Sequence, residues 1–384
     1  MDSTLCSEIP TNTEVHRVAS PEPAQEGRSE QLERWLRVPS PWSRWWVNGA
    51  SEVGQSVGAG ADLVYTWMQP YQTAAAGASL AQKLGKPWVA DLGDPWAFDE
   101  MIVYPTRVHR ALETRRMRAL LGKADAVVMS TPEAVQRVLA AFPEFRRKPV
   151  LAIPNGYEPA DFAAPVSARD DGLFRIVHTG YLHTDLGLRY QTFGRLRRLL
   201  GGTIPGVDVL PRSHIFLLQA VERLFERRPE FRGRIEVLLA GVLGRSDREI
   251  GARYSFVSMP GFVTHARAVE LMRTADLLFL PMHEVETGRA TIVPGKAYEY
   301  LAAGVPILAA VPDGDVRDVL EAGGRVSFCR PRDLDGLARE IEVAIEAQDA
   351  KGPGCVPPLV IDRYSYPSLA GELSEVFDRV LESR

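Results

Sequence analysis

The chain has 384 residues, is 45% hydrophobic and 24% charged, and carries a formal net charge of -4. These values exclude wholesale disorder and, at roughly 150 residues per domain, suggest two domains. The negative balance argues against a nucleic-acid binder working through bulk electrostatics. The three cysteines, Cys6, Cys329 and Cys355, are too few and too scattered for a disulfide framework or a zinc cage, which points to a reducing, cytoplasmic compartment. No apolar run approaches the ~18 residues that span a bilayer. The start carries Asp2 and Glu8 without the cationic opening of a signal peptide.

In chain order, short apolar β-branched runs alternate with helical periodicity, the pattern of a parallel α/β sheet. Strands are predicted over residues 14–19, 63–66, 88–91, 126–129 and 150–153, with helices over 71–84, 106–121 and 132–141. A turn at Asn155 and Gly156 opens a polar connector over 158–171. The alternation then restarts, with strands over 175–179, 235–240, 255–259, 277–280, 307–310 and 325–328. Helices fit 215–227, 265–274, 296–303, 315–322 and 333–347, and a last amphipathic helix follows Pro367. Residues 187–213 read as an arginine- and glycine-rich insertion. The expected organisation is two doubly wound domains, 1–157 and 158–365, facing across a cleft, with 366–384 crossing back to the first. The apolar strand, glycine-rich turn and helix that normally open such a domain are not visible before Glu14, so the first domain is expected to be incomplete.

The most informative motif begins at Thr291 and Val293. Pro294 and Gly295 set a turn ahead of a helix whose free N–H groups and positive dipole end suit a diphosphate. Lys296 adds a full charge, and Glu299 stands one turn on, where a carboxylate accepts both hydroxyls of a ribose. Gly304 then ends the helix. The same residues also read as a capped helix with an i,i+3 Lys296–Glu299 pair.

Asp91 and Asp94 lie at the carboxyl end of the 88–91 strand, where α/β sheets bind ligands, which makes Asp94 a candidate general base. It also reads as a turn cap before Pro95. Gly180 and Gly241 end two strands of the second domain and permit close approach of a ligand or of another turn. Phosphate-loop, dinucleotide and serine-elbow motifs are absent, and the seven histidines do not pair at metal-ligand spacing. Trp42, Trp45 and Trp46 beside Arg44, with a basic helix carrying Arg107, Arg110, Arg115, Arg116, Arg118 and Lys123, suit peripheral contact with an anionic membrane. The alternative is a solvated basic helix over a tryptophan-filled core.

Taken together, the stretches over 87–96, 124–132, 153–162, 178–182, 261–263 and 293–306 resemble retaining glycosyltransferases of the GT-B type, in the group-4-like branch. The last of these is a P-G-K-x-x-E-Y-L-A-x-G-x-P pattern. The resemblance implies a nucleotide sugar in the second domain, an acceptor in the first, and no metal or other cofactor. It also implies a ribose contact from Glu299, a nucleobase loop at Gly261 and Phe262, and an acceptor-side polar group at Asp94. The chain departs from the pattern at two points. Thr291 stands where the branch has the first glutamate of its E-x7-E motif, and Tyr181 replaces the arginine after Gly180. Arg189 and Lys296 are candidates to supply the missing charge.

The reading is a metal-independent enzyme at the inner face of the membrane. It transfers a sugar from a nucleoside-diphosphate donor to a polysaccharide, cell-envelope or lipid-linked acceptor with retention. A nucleotide-sugar 2-epimerase and a non-catalytic, transferase-like binding or scaffold protein are the alternatives.

Overall fold

The computed structural model describes residues 9–19, 22–23, 32–33, 35–167, 169–192, 199–321, 323–351 and 361–383. The chain divides into two compact units. The first comprises Met1–Pro154, Arg197–Ile204 and Leu369–Arg384, and the second Asn155–Leu196 and Pro205–Ser368.

In the first unit, β1 (Val64–Trp67), β2 (Trp88–Leu92), β3 (Ala126–Met129) and β4 (Val150–Ala152) form a four-stranded parallel sheet in chain order. The central strands are apolar at nearly every position because both faces are covered. Ala90, Leu92, Val127 and Met129 face α2 (Thr73–Leu84), α3 (Arg107–Leu121) and α4 (Pro132–Ala141). Val89, Ala126 and Val128 face Val376 and Val380 of α13 (Tyr366–Glu382) on the other side. Alternation along each strand thus assigns one set of side chains to each layer. Gly77 sets the seat of α2: a Cβ there would stand 2.6 Å from Thr66 Cγ2 and 2.8 Å from Trp88 Nε1.

Three expectations for this unit are corrected. Residues 14–19 are not a strand; Val15 is exposed, and Val18 lies on Gly49 of α1 (Pro41–Val57). Helix α1 itself escaped the sequence reading, although Ser40 caps Ser43 N and Pro41 occupies the first turn, a recognisable start. Leu200 and Gly202, read as part of an insertion in the second domain, belong to the first unit. Their carbonyls accept from Arg107 N and Tyr104 N, each at 2.9 Å.

The second unit holds six parallel strands: β5 (Phe174–Thr179), β7 (Ile235–Ala240), β8 (Val257–Gly261), β9 (Leu277–Pro281), β11 (Ile307–Ala310) and β12 (Val326–Cys329). Their order is β12-β11-β9-β5-β7-β8. Counted within the unit and from the β8 edge, this is the doubly wound order 3-2-1-4-5-6, which reverses direction between β5 and β9. Helices α7 (Ile215–Arg227) and α12 (Leu334–Lys351) seal one face with Leu217, Val221, Leu224, Leu337 and Ile341. A small antiparallel pair, β6 (Val207–Asp208) with β10 (Glu284–Val285), was not predicted.

The expected connector contains α5 (Pro159–Ala163), and the expected insertion begins as α6 (Thr184–Thr192). Gly187 disguises α6 as a loop. It is there because a Cβ would meet Leu210 Cα at 2.5 Å. Residues 193–198 of that insertion lie outside the described residues. Among the described residues no helix is long and apolar enough to cross a membrane.

Candidate functional site

The site grows from the carboxyl ends of β5 and β7, beside the point where the strand order reverses. Gly180 follows β5 with φ +95°, a conformation that disfavours any side chain, and a Cβ there would stand 3.1 Å from Lys296 Nζ. Gly241 follows β7 with φ +136°, and its Cβ would meet Gly180 O at 2.5 Å. Two adjacent strand-to-helix turns therefore close on each other through bare backbone, with the lysine against the first.

Lys296 opens α10 (Lys296–Ala303). This helix is strapped to the end of β5 by Tyr300, whose hydroxyl accepts from the Thr179 amide at 2.9 Å. The N–H groups of Ala297 and Tyr298 bond to the carbonyls of Pro294 and Gly295, at 2.9 and 3.1 Å. The expected row of free amides is therefore shorter, and those of Gly295 and Lys296 are the ones left to a ligand. Gly295 is exposed, whereas Thr291, Val293 and Pro294 are buried and build the loop.

Lys296 Nζ lies 3.1 Å from His178 Nε2. His178 Nδ1 is 3.0 Å from the Phe279 carbonyl, which can only accept, so the proton sits on Nδ1 and Nε2 accepts from the lysine. Burial and the Lys296 charge hold His178 well below its ordinary pKa, so it is neutral. Burial, reinforced by Arg212, brings Lys296 down to about 7, opposed by Glu299.

His183 is pushed to about 3 by burial, Arg212, Lys296 and His283. Its Nδ1 is buried without a hydrogen-bond partner among the described residues. His178 and His183 thus stand near the lysine as neutral rings, and His283 acts on His183. Sequence spacing could not reveal this, because they arrive from β5, from the turn after it and from the end of β9. The electropositive core of the site is Lys296 with Arg212. Arg189 is exposed on α6, where its charge acts on Asp185, and the arginine whose charge acts on Lys296 is Arg212.

Glu299 is half-buried, and burial raises its pKa against the pull of His265 and Lys296. His265 Nε2 is itself 2.7 Å from Asp161 Oδ2. Phe262, just after β8, is 60% exposed and available to a planar ring.

Asp94 belongs to the first unit, where its Oδ2 accepts from the Gln69 amide at 2.6 Å. Its neighbour Asp91 accepts from the Tyr65 hydroxyl at 2.6 Å and is raised to about 6 by burial. Asp91, raised to about 6, is a second carboxyl at this strand end that sequence reasoning did not choose.

This geometry coincides with a family match, since residues 209–347 fit the model for glycosyl transferases group 1. That stretch is similar to group 1 domains. It takes in most of the second unit's sheet, including Gly241, Lys296 and Glu299. No curated protein matches the chain.

Among solved structures, the chain is similar to HepE from Anabaena in complex with UDP and glucose, at 15% identity and a TM-score of 0.55, with 93% of this chain and 84% of that one covered. It is also similar to an α,α-trehalose 6-phosphate synthase from Burkholderia multivorans, at 13% identity and 0.53, with 88% and 76% covered. A protein from Listeria monocytogenes assigned as a UDP-N-acetylglucosamine 2-epimerase matches at 15% and 0.51, with 89% and 80% covered. The match to the group 1 model and these likenesses give the chain the α/β, Rossmann-like fold class of GT-B glycosyltransferases.

Proposed function

We propose that the chain transfers a sugar from a nucleoside-diphosphate donor to a polysaccharide, cell-envelope or lipid-linked glycan acceptor, with retention and without a metal. The observation that carries this reading is Lys296, within the stretch that fits the group 1 model, held against Gly180 at the carboxyl end of β5. In the proposed complex the diphosphate accepts from Lys296 and from the amides of Gly295 and Lys296. Charge developing on the leaving phosphate then meets donors already in place. Glu299 receives the ribose hydroxyls, and Phe262 covers the base. Thr291 is fully buried, so the donor sugar draws its contacts from other residues.

Asp94, oriented by Gln69, serves the acceptor side, with Asp91 behind it as a carboxyl that titrates near neutrality. A groove lined by Arg115, Arg118, Lys123, Arg147 and Lys148 supports a peripheral contact with anionic headgroups on the cytoplasmic face. The tryptophan cluster does not add to that contact. The indole N–H groups of Trp42, Trp45 and Trp46 donate to Glu22, the Ala19 carbonyl and Thr73.

HepE binds UDP, which makes UDP the first probe. Calorimetric titration with UDP and other nucleoside diphosphates tests the donor site. Incubation with labelled UDP-sugars, with and without glycan acceptors, tests the reaction. Acceptor-dependent release of UDP supports transfer. Free sugar released without acceptor would mark a 2-epimerase, and binding without turnover a scaffold.

A further inference from the structure

The first unit contains a pocket of about 580 Å³ whose lining includes Arg37, Arg44, Tyr71, Trp96, Tyr104 and Arg116. This volume suits one or two sugar rings. One wall carries the half-buried Tyr71, which stacks on the buried Trp96 with ring centres 5.2 Å apart and 4° between planes. Sugar rings use such surfaces because their C–H faces bury against aromatic carbon while their hydroxyls reach polar neighbours.

Two further features mark the pocket as built. Among the described residues, the two non-glycine residues with positive φ are Arg37, at 56°, and Trp96, at 49°, and both line it. One carboxylate ties them together: Glu113 Oε2 accepts from Arg37 at 2.8 Å and Oε1 from the Trp96 indole at 2.9 Å. Left-handed backbone at bulky residues persists where its surroundings over-determine it, and it concentrates at ligand sites.

The acidic side chains of the pocket are occupied internally. Glu33 accepts from the Ser43 hydroxyl at 2.8 and 2.7 Å and from the Ser40 amide at 3.1 Å. Burial acts to raise its pKa, but the hydrogen bonds from Ser40 and Ser43 prevail and lower it. Glu113 is held by Arg37 and Trp96, with Arg116 Nη1 at 3.6 Å. Arg44 is exposed and spends one nitrogen on the Pro39 carbonyl at 2.8 Å. Three arginines therefore line the pocket with two carboxylates that are already engaged. The guanidinium edges of Arg44 and Arg116 are what it offers a ligand, and that fork matches a carboxylate or a phosphate.

We propose that this pocket binds a saccharide carrying an anionic group, either a uronate carboxylate or a sugar phosphate. The proposal does not depend on the donor site or on the proposed reaction.

Calorimetry on the full chain with glucuronate, glucose 6-phosphate, glucose and inorganic phosphate tests it. One of the two anionic sugars should bind about tenfold or more tightly than both glucose and inorganic phosphate, and which one does so separates carboxylate from phosphate. Arg44→Gln should weaken that ligand about tenfold without moving the melting temperature, while Arg227→Gln, exposed in the second unit, should leave it unchanged. UDP affinity should be the same in all three proteins, so a chain that fails to bind UDP removes the donor reading and leaves this one standing. Glucose binding as tightly as the anionic sugars would overturn the proposal, and so would inorganic phosphate matching the sugar phosphate. Failure of both anionic sugars to bind, or unchanged affinity in both Arg44→Gln and Arg116→Gln, would overturn it equally.

Discussion

Lys296 Nζ and His178 Nε2 are 3.1 Å apart, and the partner of this lysine is therefore a neutral imidazole rather than a carboxylate. A half-buried ammonium normally keeps its proton by pairing with an anion. Here burial penalises the charge, Arg212 repels it and the nearest acceptor carries none, so the lysine titrates at about 7. A diphosphate arriving at this position would supply the missing counter-charge.

Affinity for UDP should therefore depend on the charge of Lys296. Lys296→Ala should cost about 1.5–3 kcal/mol of binding through loss of a charge-assisted contact. Bound diphosphate raises the pKa of the lysine, so binding above pH 7 should take up a proton and weaken as pH rises. Titration in two buffers of different ionisation enthalpy measures that uptake. Lys296→Met should lower it, whereas equal uptake in both proteins would assign it to the phosphate alone.

The same lysine should cost stability in the free protein, with a definite pH dependence. Its folded pKa of about 7 lies below the ordinary 10.5, so between these values the unfolded chain binds more protons. Stability then rises with pH across that window. The charged lysine is most costly below pH 7 and costs nothing above about 10.5. Lys296→Met should accordingly raise the melting temperature more at pH 6 than at pH 10. A shift of the same size at both values would mean packing, not charge.

Gly180→Ala should separate backbone cost from site geometry. An L-residue at φ +95° is strained by about 1–2 kcal/mol, and its Cβ would press on Lys296 Nζ. Gly233 also has positive φ, at +79°, but a Cβ there meets nothing within 4 Å. Both alanine variants should melt earlier, while only Gly180→Ala should weaken UDP binding. If the two bind UDP equally well, the closeness of Gly180 and Lys296 is structural and not functional.

Glu299→Gln should discriminate between parts of the nucleotide. Loss of the carboxylate should weaken UDP yet leave inorganic pyrophosphate nearly unaffected, since the ribose hydroxyls are its proposed partners. An equal loss for both ligands would make Glu299 a support for the loop. Affinities for the two ligands, measured side by side, decide the point.

The six parallel strands and the principal helices of the second unit were legible in the amino-acid sequence. Apolar runs such as 277–280 and 307–310 can only be buried strands between covered faces, and α7 shows its apolar stripe at helical spacing. The turn-and-lysine start of α10 was equally legible, because a cap and its charge are local. Tertiary structure decided the rest. Helix α6 exists although Gly187 interrupts its pattern, since Leu210 needs the space. Residues 14–19 carry two valines yet form no strand, because a strand is made by a partner and not by composition. The contact of Gly180 with Lys296, and the neutral His178 beside it, depend on the strand order that sets β5 beside β9. Periodicity reports which face of an element is buried. Only the order of strands decides which distant residues share one end of a sheet, and that order fixes both the electrostatics and the chemistry of the site.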